Sequence, residues 1–148
     1  MSRTSLIISG LCSSFFGLAL TTPAGAEPLV LECPPKYPDL IQMEALKVKG
    51  WIAPFPGTPS APLEQMSVSV GPAERNGELR GDPVRGGAGE RFPFDMFEED
   101  LEKWVFCGYR MPSGYARLMY RIPIGGQACV TRLKQAHGRL VAANIRCE

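Results

Sequence analysis

One histidine and a set of cysteines are the side chains best suited to metal or redox chemistry in this sequence. A zinc site needs several His or Cys ligands at short spacing. His137 stands alone beside a glycine in a predicted turn, and no Cys-x-x-Cys pair is present. Four cysteines lie far apart along the chain: Cys33, Cys107, Cys129 and Cys147. We therefore predict no metal and no cofactor, and we interpret these four cysteines as disulfide partners.

The hydroxyls and carboxylates show no catalytic pattern either. No Gly-x-Ser-x-Gly motif is present, and His137 lies far from any placed acidic partner. The glycine-rich run Gly86–Gly89 lacks a flanking strand and helix and a following lysine, so it does not match a phosphate-binding loop. Glycosidases hold two carboxylates apart across a cleft, whereas residues 98–100 form a contiguous acidic run typical of a solvated turn. The sequence therefore predicts that this protein is not an enzyme.

The N-terminal segment has the pattern of an export signal. An apolar run from Leu6 to Leu20 follows a single arginine and leads to the small residues Ala24-Gly25-Ala26. The run is shorter than the roughly 20 apolar residues that a membrane span needs. We predict a cleaved signal peptide over 1–26, which carries Cys12 away, and a single domain over 27–148. The expected location is the periplasm or the outside of the cell.

The net charge and the number of cysteines limit the classes of protein to which the mature chain can belong. The first 26 residues contain one charge, an arginine, so 15 of the 16 basic residues remain against 15 acidic residues. This balance gives no reason to expect a nucleic-acid partner. No second apolar stretch is long enough to cross a membrane. An even set of cysteines in an exported chain predicts two disulfides.

The elements that position these cysteines are predicted to be strands. Residues 104–110, 115–122, 128–134 and 140–147 alternate in polarity and are joined by glycine-containing turns, which predicts an antiparallel four-strand meander. The predicted fold class is mainly β: a small antiparallel β-sandwich or a partly open barrel with this C-terminal meander and two disulfides.

The N-terminal half gives weaker patterns. Short strands are predicted over 29–33 and 65–70, and residues 39–49 fit either a helical turn or a strand. Four prolines in 53–62 predict irregular structure, and residues 71–89 predict a long surface excursion. A helical turn is predicted after Asp95, with Glu98 three residues later.

The register of the meander follows if each hairpin is centred on its turn. Cys107 then faces Leu118, Leu118 faces Thr131, and Thr131 faces Ile145. The inward face is predicted to carry Val105, Cys107, Tyr109, Ala116, Leu118, Tyr120, Cys129, Leu133, Val141, Ala143, Ile145 and Cys147.

This register also selects the disulfides. Cys129 falls opposite Cys147, at a separation that suits a cross-strand disulfide. Cys107 would lie two strands from Cys129, which is on the order of 10 Å and exceeds the roughly 7 Å limit between bridged Cα atoms. Cys107 and Cys147 would be further apart still, unless the sheet closes. We therefore predict the pairs Cys33–Cys107 and Cys129–Cys147.

The opposite face of the meander is predicted to be basic, with six cations and no anion on the four strands. It is interpreted either as a solvated face, partly covered by the acidic stretch 95–102, or as a docking face for an anionic partner. The candidate partner-binding residues are Trp104, Arg110, Arg117, Met119, Arg121, Arg132, Lys134 and Arg146.

A spaced series of motifs covers nearly all of the mature chain. Its members are Cys33-Pro34, Gly50-Trp51, Gly71-Pro72-Ala-Glu74, Trp104-Val-Phe-Cys107-Gly-Tyr109, Cys129 and the near-terminal Cys147. The series resembles a group of short exported proteins of Gram-negative bacteria, mostly of unknown function. This resemblance implies an exported, disulfide-bonded β protein and implies no catalytic residues.

Two functions compete at this point. The first is a non-enzymatic periplasmic binding protein with a protein partner in the envelope, in its most concrete form an inhibitor or immunity-type protein against a cell-wall-active enzyme or a secreted toxin. The alternative is a structural or accessory protein of the bacterial envelope. A rigid fold alone does not separate them.

Overall fold

The computed structural model describes residues 27–75, 77–123 and 125–148. The predicted signal peptide and Cys12 lie outside these residues. The described chain is mainly β, with 52% strand and 8% helix. Its elements are β1 (Leu29–Glu32), α1 (Leu40–Val48), β2 (Trp51–Phe55), β3 (Leu63–Val70), β4 (Gly77–Glu78), β5 (Asp82–Pro83), β6 (Glu90–Pro93), β7 (Lys103–Met111), β8 (Gly114–Arg121), β9 (Ala128–Ala136) and β10 (Arg139–Cys147).

The strands form two antiparallel sheets of five strands each. The first sheet has the order β1-β10-β9-β6-β5, and the second has the order β2-β8-β7-β3-β4. Apolar residues of both sheets meet in one core, because Cys129 and Ile145 of the first sheet and Val68 and Leu118 of the second belong to the same buried cluster. Burying a side chain such as Leu118 stabilises the fold by about 1.5–3 kcal/mol. The sandwich alternative of the predicted fold class is confirmed, and the sheets do not close into a barrel.

The predicted four-strand meander is wrong in one connection. Strand β8 does not pair with β9, so the predicted facing of Leu118 and Thr131 does not occur. Strand β8 ends in the second sheet and β9 begins in the first, where Gln127 N–H donates a hydrogen bond to the Glu148 carbonyl. A Gly-Gly pair permits either a hairpin or a crossing between sheets, and burial decides between them. A flat meander would leave its apolar face uncovered, whereas folding one hairpin onto the other buries the apolar faces of both hairpins.

Within each hairpin the predicted register is correct. Cys107 pairs with Leu118, and Thr131 pairs with Ile145. The turn between β9 and β10 is a two-residue turn with positive φ at His137 and Gly138, the backbone that closes tight hairpins. A bulge at Leu140–Ala142 then shifts the pairing by one residue. The shift restores the register that a hairpin centred on Gly138 would have.

Both predicted disulfides are present. Cys129–Cys147 joins directly paired strands of the first sheet, with Cα atoms 4.1 Å apart. Cys33–Cys107 spans the core between the two sheets, with Cα atoms 5.7 Å apart. Cys33 continues β1, because its N–H donates to the Ala143 carbonyl. The second bridge therefore ties the N-terminal strand of one sheet to a central strand of the other.

Three local expectations change in the structure. Residues 39–49, which were open between strand and helical turn, form α1, with an Asp39–Gln42 capping box. Part of the proline-rich stretch 53–62 belongs to β2, where Pro54 is tolerated because β2 is an edge strand. Residues 94–101 form two successive tight turns instead of a helical turn.

Candidate functional site

The eight candidate partner-binding residues lie on two surfaces. Five of them belong to β7 and β8 of the second sheet: Trp104, Arg110, Arg117, Met119 and Arg121. The other three, Arg132, Lys134 and Arg146, belong to β9 and β10 of the first sheet. The inner faces of the sheets meet in the core, so their outer faces point away from each other. The prediction of one continuous basic face is therefore wrong.

On the second sheet, the predicted apolar anchors are already packed. Trp104, Phe106 and Met119 form a small buried cluster with Ala73 on the outer face of the sheet. The indole N–H of Trp104 donates a hydrogen bond to the Gly71 carbonyl at 3.0 Å. Trp104 is 8% exposed and Met119 is completely buried, so neither offers contact area to a partner.

The arginines of the same face are matched by carboxylates. Arg110 contacts Glu64 at 2.5 Å, and this hydrogen bond is the main cause that raises the pKa of the Arg110 guanidinium. Arg121 contacts Glu102 at 3.2 Å. Arg117 lies 3.9 Å from Glu78, and its guanidinium stacks 4.4 Å above the ring of Phe106. The four-strand count missed these anions, because β3, β4 and the turn before β7 supply them.

The outer face of the first sheet keeps more uncompensated positive charge. Arg146 pairs with Glu148 at 3.0 Å. Within the described part of the chain, Arg132 and Lys134 make no ion pair. Arg91 of β6 pairs with Val130 of β9 and is exposed on the same face, which the sequence reasoning missed because it assigned no strand there.

Helix α1 carries the large aliphatic side chains with the highest exposed fractions among the described residues. Leu40 and Ile41 are each 84% exposed and Val48 is 90% exposed. The helix is held on its opposite side, where Met43 is buried and Leu46 is half-buried against the core. We call Leu40, Ile41 and Val48 the helix ridge. At 3.6 residues per turn, Ile41 and Val48 lie on the same side of the helix, and Leu40 lies about 100° around the axis from Ile41. The sequence reasoning missed this surface because it left residues 39–49 open between a helical turn and a strand.

One charged pair lies beside the three apolar residues of the ridge. Glu44 lies one turn from both Leu40 and Val48, and its carboxylate contacts the Lys47 ammonium at 2.7 Å. Because both partners of this pair are exposed, its contribution to stability is small. The ridge is therefore an apolar surface with a locally neutralised centre.

In residues 27–75, 77–123 and 125–148, no group of three or more His, Cys, Asp or Glu could hold a metal ion. His137 is exposed at the tip of the β9–β10 hairpin. Tyr109 is buried, its hydroxyl donates to the Pro34 carbonyl at 3.0 Å, and burial raises the pKa of its phenol. It joins the segment before α1 to the core.

Comparisons with known proteins add no assignment. No protein-family model, no curated protein and no solved structure matches the chain. Among the described residues, no helix is long and apolar enough to span a membrane. The two disulfides indicate an oxidising compartment outside the cytosol.

Proposed function

We propose that this chain is a non-enzymatic periplasmic binding protein that docks the helix ridge into an apolar groove of a protein partner. The observation that carries the proposal is the exposure of Leu40, Ile41 and Val48, at 84%, 84% and 90%. Clustered exposed apolar residues mark interaction sites more often than scattered ones do. Ile41 and Val48 have the i, i+7 spacing of helix-in-groove anchors, and Leu40 widens the apolar surface beside them.

The interactions that hold α1 in place favour a binding role for the ridge. The capping box at Asp39 and Gln42 fixes the first turn of α1, and the Gly50 N–H closes its end on the Lys47 carbonyl. Cys33, six residues before Asp39, is bonded through the core to Cys107. A preorganised helix loses little conformational freedom on binding, which favours affinity.

In its most specific form, the partner is a cell-wall-active enzyme or a secreted toxin, and this chain is its inhibitor or immunity protein. Enzymes with substrate clefts offer the concave apolar surface that a protruding helix fills. A stapled sandwich suits an envelope environment where no cytosolic reductant is present. The predicted signal peptide over 1–26 is consistent with delivery to that compartment.

The decisive experiment compares two variants with the same chemical change. Ile41→Asp places a carboxylate in the ridge at the second helical position, where the helix dipole tolerates it. Met96→Asp makes the same change at a residue that is 82% exposed in the turn before β7. The two variants and the wild type are used to capture partners from periplasmic extract at low and high salt.

We expect the wild type and Met96→Asp to retain the same partner at both salt concentrations, because apolar docking is not screened. With the purified partner, Ile41→Asp should weaken binding at least about thirtyfold, the effect of losing a hot-spot residue worth roughly 2 kcal/mol. Inhibition of the partner's activity should fall in parallel. Binding that is lost at high salt, or that is equal for Ile41→Asp and Met96→Asp, would exclude the ridge as the docking surface.

A further inference from the structure

A cleft opens between the two sheets at one end of the sandwich, away from the ridge-bearing face of α1. Its volume is about 670 Å³, within the range of small-molecule sites. One wall is formed by Pro35, Lys36 and the start of β3 from Pro62, and the other by the end of the β9–β10 hairpin from Gln135 to Val141. The residues of the proposed docking ridge are not part of it.

The apolar side chains of the cleft come from both sheets. Leu63 and Leu140 line it together with Pro62 and Val141. Val141 was predicted to be in the core, yet it is 39% exposed, because it is the extra residue of the bulge between Leu140 and Ala142. The bulge thus leaves an aliphatic side chain at the cleft that no described residue covers fully.

The charged residues of the cleft do not cancel. Lys36, Arg110 and Arg139 line it with a single carboxylate, that of Glu64. Glu64 is engaged by Arg110 at 2.5 Å. Among the described residues, Lys36 and Arg139 make no ion pair, and they reach the cleft from separate segments of the chain. The cleft therefore combines apolar side chains with two unpaired cations.

We propose that this cleft binds a small amphipathic anion. The apolar body of the ligand lies against Leu140 and Val141, and its carboxylate or phosphoryl group is held between Lys36 and Arg139. Arginine suits this role because its planar donors match the two oxygens of a carboxylate or phosphate. An uncharged molecule of the same shape would leave both cations without a partner.

The test titrates the disulfide-bonded mature chain with octanoate, octyl phosphate, octan-1-ol and inorganic phosphate by isothermal calorimetry at low ionic strength. We expect one or both amphipathic anions to bind with a dissociation constant below about 1 mM. Octan-1-ol and inorganic phosphate should each bind at least about tenfold more weakly, because each lacks one half of the recognition. The relative affinity of octanoate and octyl phosphate identifies the preferred anionic group.

Variants locate the binding. Arg139→Ala and Lys36→Ala should each weaken the amphipathic anion about tenfold, as expected for the loss of one charge-assisted hydrogen bond. Arg132→Ala removes an unpaired arginine from the outer face of the first sheet and should leave the affinity unchanged. All three positions are exposed, so the fold should tolerate the changes, which near-identical urea midpoints would verify.

Three results would overturn the proposal. The first is the absence of saturable heat for both anions with the wild type. The second is binding of octan-1-ol or inorganic phosphate as tight as that of octyl phosphate, and the third is an equal loss of affinity in Arg132→Ala and Arg139→Ala. None of these results depends on whether the helix ridge binds a protein.

Discussion

The two disulfides should contribute unequally to stability, and the structure predicts the order. Cys33–Cys107 joins residues 74 apart in sequence, and Cys129–Cys147 joins residues 18 apart. In the chain-entropy description, a cross-link stabilises the fold by restricting the unfolded chain, and more so for a longer loop. That relation gives about 4.5 kcal/mol for the first bridge and about 3.2 kcal/mol for the second at 25 °C.

Paired alanine substitutions test this difference. The double variants Cys33→Ala/Cys107→Ala and Cys129→Ala/Cys147→Ala each remove two sulfur atoms from buried positions. The cavity terms are therefore similar and largely cancel in the comparison. The longer-loop variant should lose about 1 kcal/mol more free energy of unfolding than the hairpin variant.

Urea unfolding of the wild type and both double variants measures the difference. Both variants should also show a larger dependence on urea, because an unbridged unfolded chain exposes more surface. If the longer-loop variant is unfolded in water, adding sulfate to all three samples restores a measurable transition. An equal or larger loss in the hairpin variant would refute the loop-length reasoning and indicate that local strand pairing dominates.

Two further predictions concern single residues. A Cβ atom on Gly89 would lie 2.1 Å from the carbonyl oxygen of Thr131, so Gly89→Ala should lower the free energy of unfolding in urea by roughly 1–3 kcal/mol. Gly87→Ala is the control, because a Cβ atom there meets nothing within 4 Å. Equal effects of the two substitutions would contradict the reasoning. Because the folded pKa of Tyr109 is raised above the unfolded value of about 10, its contribution to stability is full below pH 10 and is lost as the pH rises. Between pH 9 and 11 the wild type should lose about 1.4 kcal/mol more than Tyr109→Phe, and equal losses would contradict it.

Much of the core was predictable because the alternation of apolar residues along the strands and the geometry of the disulfides indicate the same inward face. Nine of the twelve predicted inward residues are buried, including Val105, Leu118 and Ile145. Tyr120 and Leu133 are half-buried and Val141 is exposed, so the prediction was wrong for Val141. The Cys129–Cys147 pair followed from the register of its hairpin. The spacing that excluded Cys107–Cys129 assumed a pairing of β8 with β9 that the structure does not have. In each hairpin a short turn fixes the register, so a residue-counting argument is sufficient.

The sheet assignment was not predictable in the same way. Whether the chain after β8 turns back beside it or crosses to the other sheet depends on what covers the apolar face of β7 and β8. The buried cluster on that face includes Leu31 of β1 and Phe92 of β6, which lie outside the C-terminal sequence. The prediction of one basic surface was wrong for the same reason. Its arginines were counted without Glu64, Glu78 and Glu102, which come from elements outside the four strands.

The two proposed sites share a structural cause. Segment 34–38 leaves β1 immediately after Cys33 and is tied to the core by the hydrogen bond from Tyr109 to Pro34 and by a bridge between Lys36 and Pro62. On one side this segment leads into α1 and fixes the helix ridge. On the other it forms the wall of the cleft that carries Lys36. The inter-sheet disulfide therefore does more than stabilise the sandwich, because it holds at one point the backbone from which both candidate surfaces extend.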